Sequence, residues 1–297
     1  MLDAAFATQA KAAKHFTSAL VPYIPHIYFA SALWSVKMRA LNFIAAERPA
    51  MSFNALYTDL SGYYDLMCAD IDYQRQSAAA MRLHQFFGSG GHTHLDLACG
   101  TGPHIEHFLQ AGYQCTGLDL NQPMLDIAGQ RCPQAQFVQQ NMCAFNISEP
   151  VDLITCFLYS LHYSGNIDGL KACLRHVVPA LKSGGVFCFS AVDKNKIDNS
   201  ALLRQHASHQ HSHFVFESGW FYQGFGDEQQ LRLKIQKTTQ GVTELWQDHH
   251  PMVAVSFAEL KALLEPDFEV VMLEHDFEKI LPLAPDSGNA LFVCIKH

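Results

Sequence analysis

The stretch "HLDLACGTGPH", residues 94–104, decides how the chain folds. Its apolar residues form a short strand-like run, and Gly100 and Gly102 follow at once. Pro103 then predicts the start of a helix, because a missing N–H costs little in the first helical turn. A buried strand, a glycine turn and a helix in this order predict the first crossover of a parallel sheet. Glycine at such a turn lets the backbone approach a ligand closely.

The same alternation of strands and helices continues outward as far as Val192. Further strands are predicted at "GYQCTGLDL" (112–120), "AQFVQQNM" (135–142), "VDLITC" (151–156) and "VFCFSAV" (186–192). These runs are continuously apolar, which is typical of strands that are buried on both faces. The predicted fold class is α/β, with a doubly wound, mostly parallel, seven-stranded sheet of the Rossmann-like type.

The sequence divides into five predicted parts, of which this core is the third. A polar stretch at 195–214 is expected to be loop or helix, and alternating segments such as "QLRLKIQKTT" (230–239) predict antiparallel strands. Ser256 and Glu259 have the spacing of a helix capping box. The parts are an N-terminal extension, helical or poorly ordered (1–50), a helical lid (51–92), the core (93–193), an antiparallel insertion over the active site (194–255), and a C-terminal helix and strands that complete the sheet (256–297).

Composition limits the classes of partner. Of 297 residues, 49% are hydrophobic, which supports a sizeable core, and the net charge is −8 without a long run of Lys or Arg. A nucleic-acid partner is therefore not expected. The nine cysteines are odd in number and show no CxxC spacing. This usage is typical of a reducing compartment, so a cytoplasmic location is expected.

Two segments suggest a membrane span and a metal site, but their residues disfavour both interpretations. Residues 15–36 carry no charged side chain, but Pro22, Pro25 and several hydroxyl residues lower their apolar density, so a membrane span is not expected. The run "HASHQHSHF" (206–214) places histidines at alternate positions. No cysteine or carboxylate completes a ligand set nearby, so no metal is expected.

The glycine turn does not match two common phosphate-binding motifs. A dinucleotide fingerprint needs a third small residue where Ile105 stands, and no G-K-[ST] follows for a P-loop. What remains is "DLACGTG" (96–102) followed by Asp119, which lies 23 residues after Asp96. The two oxygens of a carboxylate can accept hydrogen bonds from both hydroxyls of a ribose.

Four motifs in this order resemble the class I S-adenosylmethionine (SAM)-dependent methyltransferases. They are "LDLACGTG" (95–102), "GLDLNQPMLDIA" (117–128), "VDLITCFLYSLHY" (151–163) and "LKSGGVFCF" (181–189). The stretch "LSGYYDLMCADIDYQRQ" (60–76), together with the insertion, resembles the small-molecule branch of that family. This branch includes glycine N-methyltransferases and amino-sugar N,N-dimethyltransferases.

The resemblance implies SAM as cofactor, with S-adenosylhomocysteine (SAH) as its product. Asp119 would hold the ribose hydroxyls, and Tyr64 would lie near the sulfonium. Asn141 would accept a bond from the adenine amino group, although the family commonly has an acidic residue there. The implied cofactor-binding set is Tyr64, Tyr73, Asp96, Ala98, Gly100, Thr101, Gly102, Asp119, Leu120, Met124, Asn141, Met142 and Phe157.

The expected reaction is in-line methyl transfer to a small molecule, with an amine nitrogen as the leading acceptor. An O- or C-methyltransferase of a hydrophobic metabolite and a non-catalytic SAM- or SAH-binding regulator remain alternatives. An amine must lose a proton, so a base near neutral pKa helps. His162 is the first candidate, and Tyr64, His249 and His250 complete the candidate catalytic set, with Trp246 and Tyr222 facing the same pocket. The sequence leaves a homodimer open.

Overall fold

The computed structural model describes residues 55–57 and 60–297. The predicted N-terminal extension, with its uncharged stretch at 15–36, lies outside these residues. Within the described ranges, no helix combines the length and the apolar character needed to cross a membrane.

A seven-stranded mixed sheet forms the centre of the molecule, as the sequence predicted. Its order is β10-β11-β5-β4-β1-β2-β3, and the five strands from β5 to β3 are parallel. β11 pairs antiparallel with both β5 and β10. The bounds are β1 (Thr93–Leu97), β2 (Gln114–Asp119), β3 (Gln136–Gln139), β4 (Val151–Cys156), β5 (Leu181–Val192), β10 (Phe268–Glu274) and β11 (Asn289–Lys296).

Helices cover this sheet and connect its strands. They are α1 (Tyr64–Met67), α2 (Tyr73–Phe87), α3 (Pro103–Gln110), α4 (Gln122–Arg131), α5 (Ile167–Ala180) and α6 (Phe257–Leu264). The predicted capping box of α6 is confirmed: the Ser256 hydroxyl accepts from the Glu259 backbone N–H, and the Glu259 carboxylate accepts from the Ser256 backbone N–H. The chain reverses its direction of strand addition between β1 and β4, and open α/β sheets bind ligands at such a switch point.

A second sheet of four antiparallel strands follows the core. It is a simple meander of β6 (Leu203–His209), β7 (Ser212–Tyr222), β8 (Glu228–Thr239) and β9 (Val242–Val253). The expectation of loop or helix at 195–214 was wrong for half of that stretch, because β6 and the start of β7 occupy it. Its polar residues alternate with half-buried ones, and pairing along β7 satisfies the backbone despite the polar composition.

The sequence also placed two element boundaries differently from the structure. One continuous helical region was expected before β1, but two short 3₁₀ turns (Ala55–Tyr57 and Ser61–Tyr63) and α1 precede α2. The strand expected from residue 186 begins earlier, at Leu181. The register against β4 shifts there, and Gly184, with φ +71°, permits the irregularity.

Close packing around β2 predicts a strong effect of one methyl group. An ideal Cβ at Gly117 would lie 2.7 Å from Ile105 Cδ1 and from the Phe137 ring, so Gly117→Ala should lower the free energy of unfolding by about 1–3 kcal/mol. At Gly129 in α4, no atom lies within 4 Å of the corresponding Cβ position. Gly129→Ala should therefore raise the free energy of unfolding by about 0.5–1 kcal/mol. Urea denaturation measures both, and equal effects would contradict this packing.

Candidate functional site

A cavity of about 520 Å³ opens at the carboxyl ends of the parallel strands. Its wall is formed mainly by the glycine turn, by residues after β2, β3 and β4, by described residues of the segment before β1 (the lid) and by the antiparallel sheet β6–β9 (the insertion). The position matches the switch point of the sheet. A cavity of this size lies in the range of small-molecule sites.

The turn after β1 adopts a left-handed backbone at three alternate positions. The φ angles are +54° at Ala98, +55° at Gly100 and +79° at Gly102. A Cβ at Gly102 would lie 3.1 Å from the Ala128 Cβ, so the turn packs tightly on α4. On its other side, Gly100 lines the cavity, and the nearest atom to its missing Cβ is Tyr64 Cε1 at 4.0 Å. The glycine backbone is therefore accessible to a ligand.

Asp119, the last residue of β2, fixes this turn from the neighbouring strand. One carboxylate oxygen accepts the Gly100 backbone N–H at 2.9 Å, and the other accepts the Asn121 backbone N–H at 2.9 Å and its side-chain amide at 3.3 Å. Burial raises the pKa of the carboxyl, and these hydrogen bonds oppose that rise. The long amide contact is the weakest of the three, so a ligand hydroxyl can replace it while a second hydroxyl uses the remaining lone pair. The donor and acceptor chemistry fits the ribose of a nucleoside.

Asp96 lies behind the glycine turn and does not line the cavity. Its carboxylate accepts the Thr155 hydroxyl at 2.6 Å, and the Thr155 oxygen accepts His94 Nε2–H at 2.8 Å. Burial raises the pKa of Asp96 to about 7. These contacts link β1 to β4 beneath the turn, so Asp96 supports the backbone that lines the cavity.

The remaining predicted cofactor residues divide into two groups. Leu120, Met124, Asn141 and Met142 line the cavity beside Asp119. The Asn141 carbonyl oxygen accepts the Cys143 backbone N–H at 2.8 Å, which fixes the side chain and leaves one lone pair.

Tyr73, Thr101 and Phe157 stand behind the wall, although the resemblance places them at the cofactor. The rings of Tyr73 and Phe157 both pack on His104, each at 4.9 Å, and Thr101 is fully buried. Their side chains support the turn and α3 from within the core. Ala98 and Tyr64, in contrast, line the cavity.

A three-residue latch holds the lid to the glycine turn. Asp65 of α1 accepts the Thr101 hydroxyl at 2.6 Å and the Arg131 guanidinium at 2.5 Å. Arg131 also donates to the Thr101 carbonyl at 2.8 Å. The latch therefore connects α1, the turn and the end of α4, and it places Tyr64, the residue before Asp65, against the cavity.

His162 is buried away from the cavity, and both of its ring nitrogens are occupied. The Val192 backbone N–H donates to Nε2 at 3.1 Å, so Nδ1 carries the proton and donates to the Val253 carbonyl at 2.9 Å. Burial lowers the pKa of the ring to about 4. A general base needs a free lone pair within reach of the substrate. The geometry instead makes His162 a structural connector that joins β5 to β9.

The candidate residues on the insertion lie in different surroundings. His249 is exposed, and Trp246 packs in the cluster around Phe214 and Phe216. Tyr222 donates its hydroxyl to the Gly226 carbonyl at 3.0 Å. None of these three candidates lines the cavity.

His250 is fully buried and bonds on both sides, to Tyr163 at 2.7 Å and to Asp248 at 3.0 Å. Tyr163 in turn reaches Tyr57 at 2.7 Å, and both tyrosines line the cavity. Sequence reasoning missed Tyr57, Tyr163 and Asp248. Tyr57 and Tyr163 are 106 positions apart, and no local pattern marks their meeting. The histidine-rich run 206–213 forms no metal-ligating group: in the described part of the chain no three His, Cys, Asp or Glu side chains could hold an ion.

Comparison with known proteins shows what this part of the chain is similar to. Residues 95–185 match the methyltransferase domain family. A dTDP-4-amino-2,3,4,6-tetradeoxy-D-glucose N,N-dimethyltransferase of Saccharopolyspora spinosa is 36% identical over 92 residues, which cover 31% of this chain and 37% of that protein. The chain thus matches little more than a third of the length of this curated relative.

Solved structures extend the likeness over most of the chain. DesVI of Streptomyces venezuelae superposes with a TM-score of 0.70 at 22% identity, covering 81% of this chain and 99% of that one. SAM-bound CalS10, an amino pentose methyltransferase of Micromonospora echinaspora, gives 0.67 at 16% identity, covering 84% and 100%. These structural matches confirm the Rossmann-like fold, and the sequence matches over residues 95–185 and to the Saccharopolyspora protein confirm the resemblance to SAM-dependent methyltransferases.

The latch predicts the kinetics of ligand release. Arg131→Met removes the partner of Asp65, so the lid should open more often and SAH should dissociate roughly 5-fold faster, the size expected for a partly exposed ion pair. Arg175→Met, on the exposed face of α5, serves as control. Stopped-flow release of SAH measures the rate, and equal rates for the two variants would count against the latch.

The buried site of His162 predicts a stability effect with a defined pH dependence. His162→Gln should lower the free energy of unfolding by about 1–3 kcal/mol, because the Val192 N–H and Val253 carbonyl lose matched partners. The wild-type folded state keeps the ring neutral down to a pKa of about 4, whereas the unfolded ring gains a proton near its ordinary 6.5.

Stability from this group is therefore complete above about pH 6.5 and falls as the pH drops towards 4. The variant should lose less stability than the wild type between about pH 7 and about pH 5. His211→Gln, at an exposed turn, is the control and should follow the wild type. Urea titrations at both pH values measure the difference, and parallel curves for wild type and His162→Gln would refute it.

Proposed function

We propose that this chain, which carries a methyltransferase domain at residues 95–185, transfers the methyl group of SAM to an amine nitrogen of a small molecule. One observation carries the proposal. The Asp119 carboxylate and the exposed backbone of Gly100 face the same cavity, and the insertion closes that cavity from the other side. A nucleoside site and an acceptor site are thus continuous.

The residues present divide the cavity between the two ligands. Asp119 would hold the ribose hydroxyls, Gly100 and Ala98 would face the methionine moiety, and Asn141 with Met142 would contact the adenine. Leu120 and Met124 would flank the ring. Tyr64, which the latch holds against Gly100, would border the sulfonium, where an aromatic ring attracts a cation. When bound, SAM supplies an electrophilic methyl group on a positively charged sulfur.

The chain contributes alignment and exclusion of water rather than covalent chemistry. The lid and the insertion cover the cavity, so an acceptor is confined beside the nucleoside site. Holding two reactants in line contributes about 7–11 kcal/mol of barrier lowering in well-oriented cases. The wall on the insertion side is mainly apolar and uncharged. Its members include Phe216, Trp220, Leu231 and Met252, with Gln205 and Ser218 as neutral polar side chains.

The acceptor that suits this wall carries its amine on an apolar or aromatic scaffold. Among the described residues that line the cavity, Asp119 is the one carboxylate and there is no Lys or Arg. A dTDP-sugar, the acceptor class in the name of the Saccharopolyspora relative, carries a diphosphate that such a wall does not neutralise. The same apolar wall supports the second candidate, O- or C-methylation of a hydrophobic metabolite.

Labelled SAM separates the two candidates. The purified chain, incubated with methyl-labelled SAM and a protein-free small-molecule extract of bacterial cells, should label a product. Treating the extract beforehand with formaldehyde and a hydride reductant converts primary and secondary amines into tertiary ones and leaves hydroxyls intact. The label should then disappear. Label that survives the treatment would support O- or C-transfer instead.

Asp119 provides the direct test of the nucleoside site. Asp119→Asn keeps the shape but loses the charge, so binding of SAH should weaken by about 10²-fold, as two charge-assisted hydrogen bonds are lost. Asp126→Asn, which is exposed on α4, is the matched control. Isothermal titration calorimetry measures both, and unchanged affinity in Asp119→Asn would remove the basis of the proposal.

A further inference from the structure

Four polar side chains form a single hydrogen-bonded row that starts at the cavity. Tyr57 Oη lies 2.7 Å from Tyr163 Oη, and Tyr163 Oη lies 2.7 Å from His250 Nδ1. His250 Nε2 lies 3.0 Å from Asp248 Oδ2. The row brings together the lid, the turn after β4 and strand β9, and its first two members line the cavity.

The chemistry of the last member sets the direction of every bond. An ionised carboxylate only accepts, so Nε2 of His250 carries a proton and donates it to Asp248. Nδ1 is then an acceptor, and the Tyr163 hydroxyl donates to it. The Tyr163 oxygen consequently accepts from the Tyr57 hydroxyl. The oxygen of Tyr57 is left as an acceptor at the cavity, so the whole row is oriented to move protons from the cavity towards Asp248.

Burial keeps this row away from bulk water. His250 is fully buried, with the Tyr57 ring at 5.3 Å and the Tyr163 ring at 5.7 Å, whereas the side chain of Asp248 is 15% exposed. Water therefore reaches the far end of the row before it reaches the histidine. This arrangement gives a proton an exit that avoids the cavity.

We propose that Tyr57, Tyr163, His250 and Asp248 form a relay that removes a proton from the ammonium group of the acceptor and delivers it to solvent. The inference rests on the proposed function, because it needs an amine acceptor. Tyr57 and Tyr163 would meet the acceptor as catalytic residues. His250 and Asp248 act through them and are positioning residues for the proton.

The step balances in protons and electrons. One N–H bond of the ammonium group breaks, and its electron pair stays on nitrogen as the nucleophilic lone pair. The Tyr57 oxygen gains that proton while its own passes to Tyr163, and the proton of Tyr163 passes to Nδ1. His250 becomes an imidazolium ion that is paired with Asp248, and one proton leaves at the exposed end. The apolar wall also disfavours the ammonium form, which eases the transfer.

Charges around the row determine its pH dependence. Burial lowers the pKa of His250 below its ordinary value of 6.5, His249 adds to the fall, and Asp248 opposes it. Burial raises the pKa values of Tyr57 and Tyr163, so both hydroxyls stay protonated and pass protons without ionising. Cys68 and Asp119 act on Tyr57 in the same direction, and Leu231, opposite His250 on β8, is uncharged. The neutral, proton-accepting histidine therefore persists at neutral pH and is lost only as the pH falls below about 6.5.

Rates of labelling from the small-molecule extract test the relay in the full chain. Tyr163→Phe and His250→Gln should each lower the labelling rate, measured with the extract in excess, by about 10²-fold, which is the lower range for acid–base assistance. The affinity for SAH should stay within about twofold of the wild-type value. Asp248→Asn should move the acidic limb of the pH–rate profile to lower pH, because the opposing carboxylate is gone. His211→Gln is the control. Superimposable profiles for wild type and Asp248→Asn would overturn the relay.

Nitrogen NMR of the SAH-bound chain gives a second readout that needs no acceptor. The His250 signals, assigned by their absence in His250→Gln, should show protonated Nε2 and unprotonated Nδ1, and Tyr163→Phe should shift Nδ1. A proton on Nδ1 would refute the relay and leave the methyl transfer standing. Intact SAH binding without any amine-dependent label would instead refute the proposed transfer, and the relay's role with it.

Discussion

The hydrogen bond from the Gly100 backbone to the Asp119 carboxylate is the constraint on which the site depends. It spans the ends of two adjacent parallel strands and holds a turn whose backbone is left-handed at alternate residues. Such conformations are costly for most residues and persist where the surroundings hold them. Here the packing of Gly102 on α4 and the bond to Asp119 provide that support. The same carboxylate faces the cavity, so the group that holds the turn also offers acceptors to a ligand.

Around this fixed turn, the chain builds a closed space from parts that are distant in sequence. The Asp65–Arg131–Thr101 latch brings α1 against the turn, and the antiparallel sheet adds the apolar wall. Partly exposed ion pairs of this kind are weak, so the latch suits a segment that must open as well as close. The core sheet, by contrast, is continuous and covered by helices. Rigid support and an openable cover therefore come from different layers of the molecule.

Two histidines show how environment separates similar side chains. His162 and His250 are both buried, and burial lowers both pKa values. Backbone groups of β5 and β9 use both nitrogens of His162, and the Gln229 side chain also lies 3.1 Å from Nδ1, which makes the histidine a structural connector between strands. The neighbours of His250 are a carboxylate on one side and a hydroxyl on the other, an arrangement that can take up and release a proton. Its position next to β4 made His162 the first candidate for the base, but the hydrogen-bond partners make His250 the better candidate for proton transfer.

The sequence by itself determined the α/β core, because runs of apolar residues, the glycine turn and the acid after the second strand are local patterns with a local physical cause. It also determined the capping box of α6 and the antiparallel strands that follow the core. Only the tertiary structure decided which side chains reach the cavity: Tyr73, Thr101 and Phe157 turn inward, whereas Tyr57 and Tyr163 meet across 106 positions. Contacts of that kind depend on how the lid and the insertion pack on the sheet. Packing between distant segments leaves no periodic pattern in the chain, so no reading of neighbours along the sequence could reveal it.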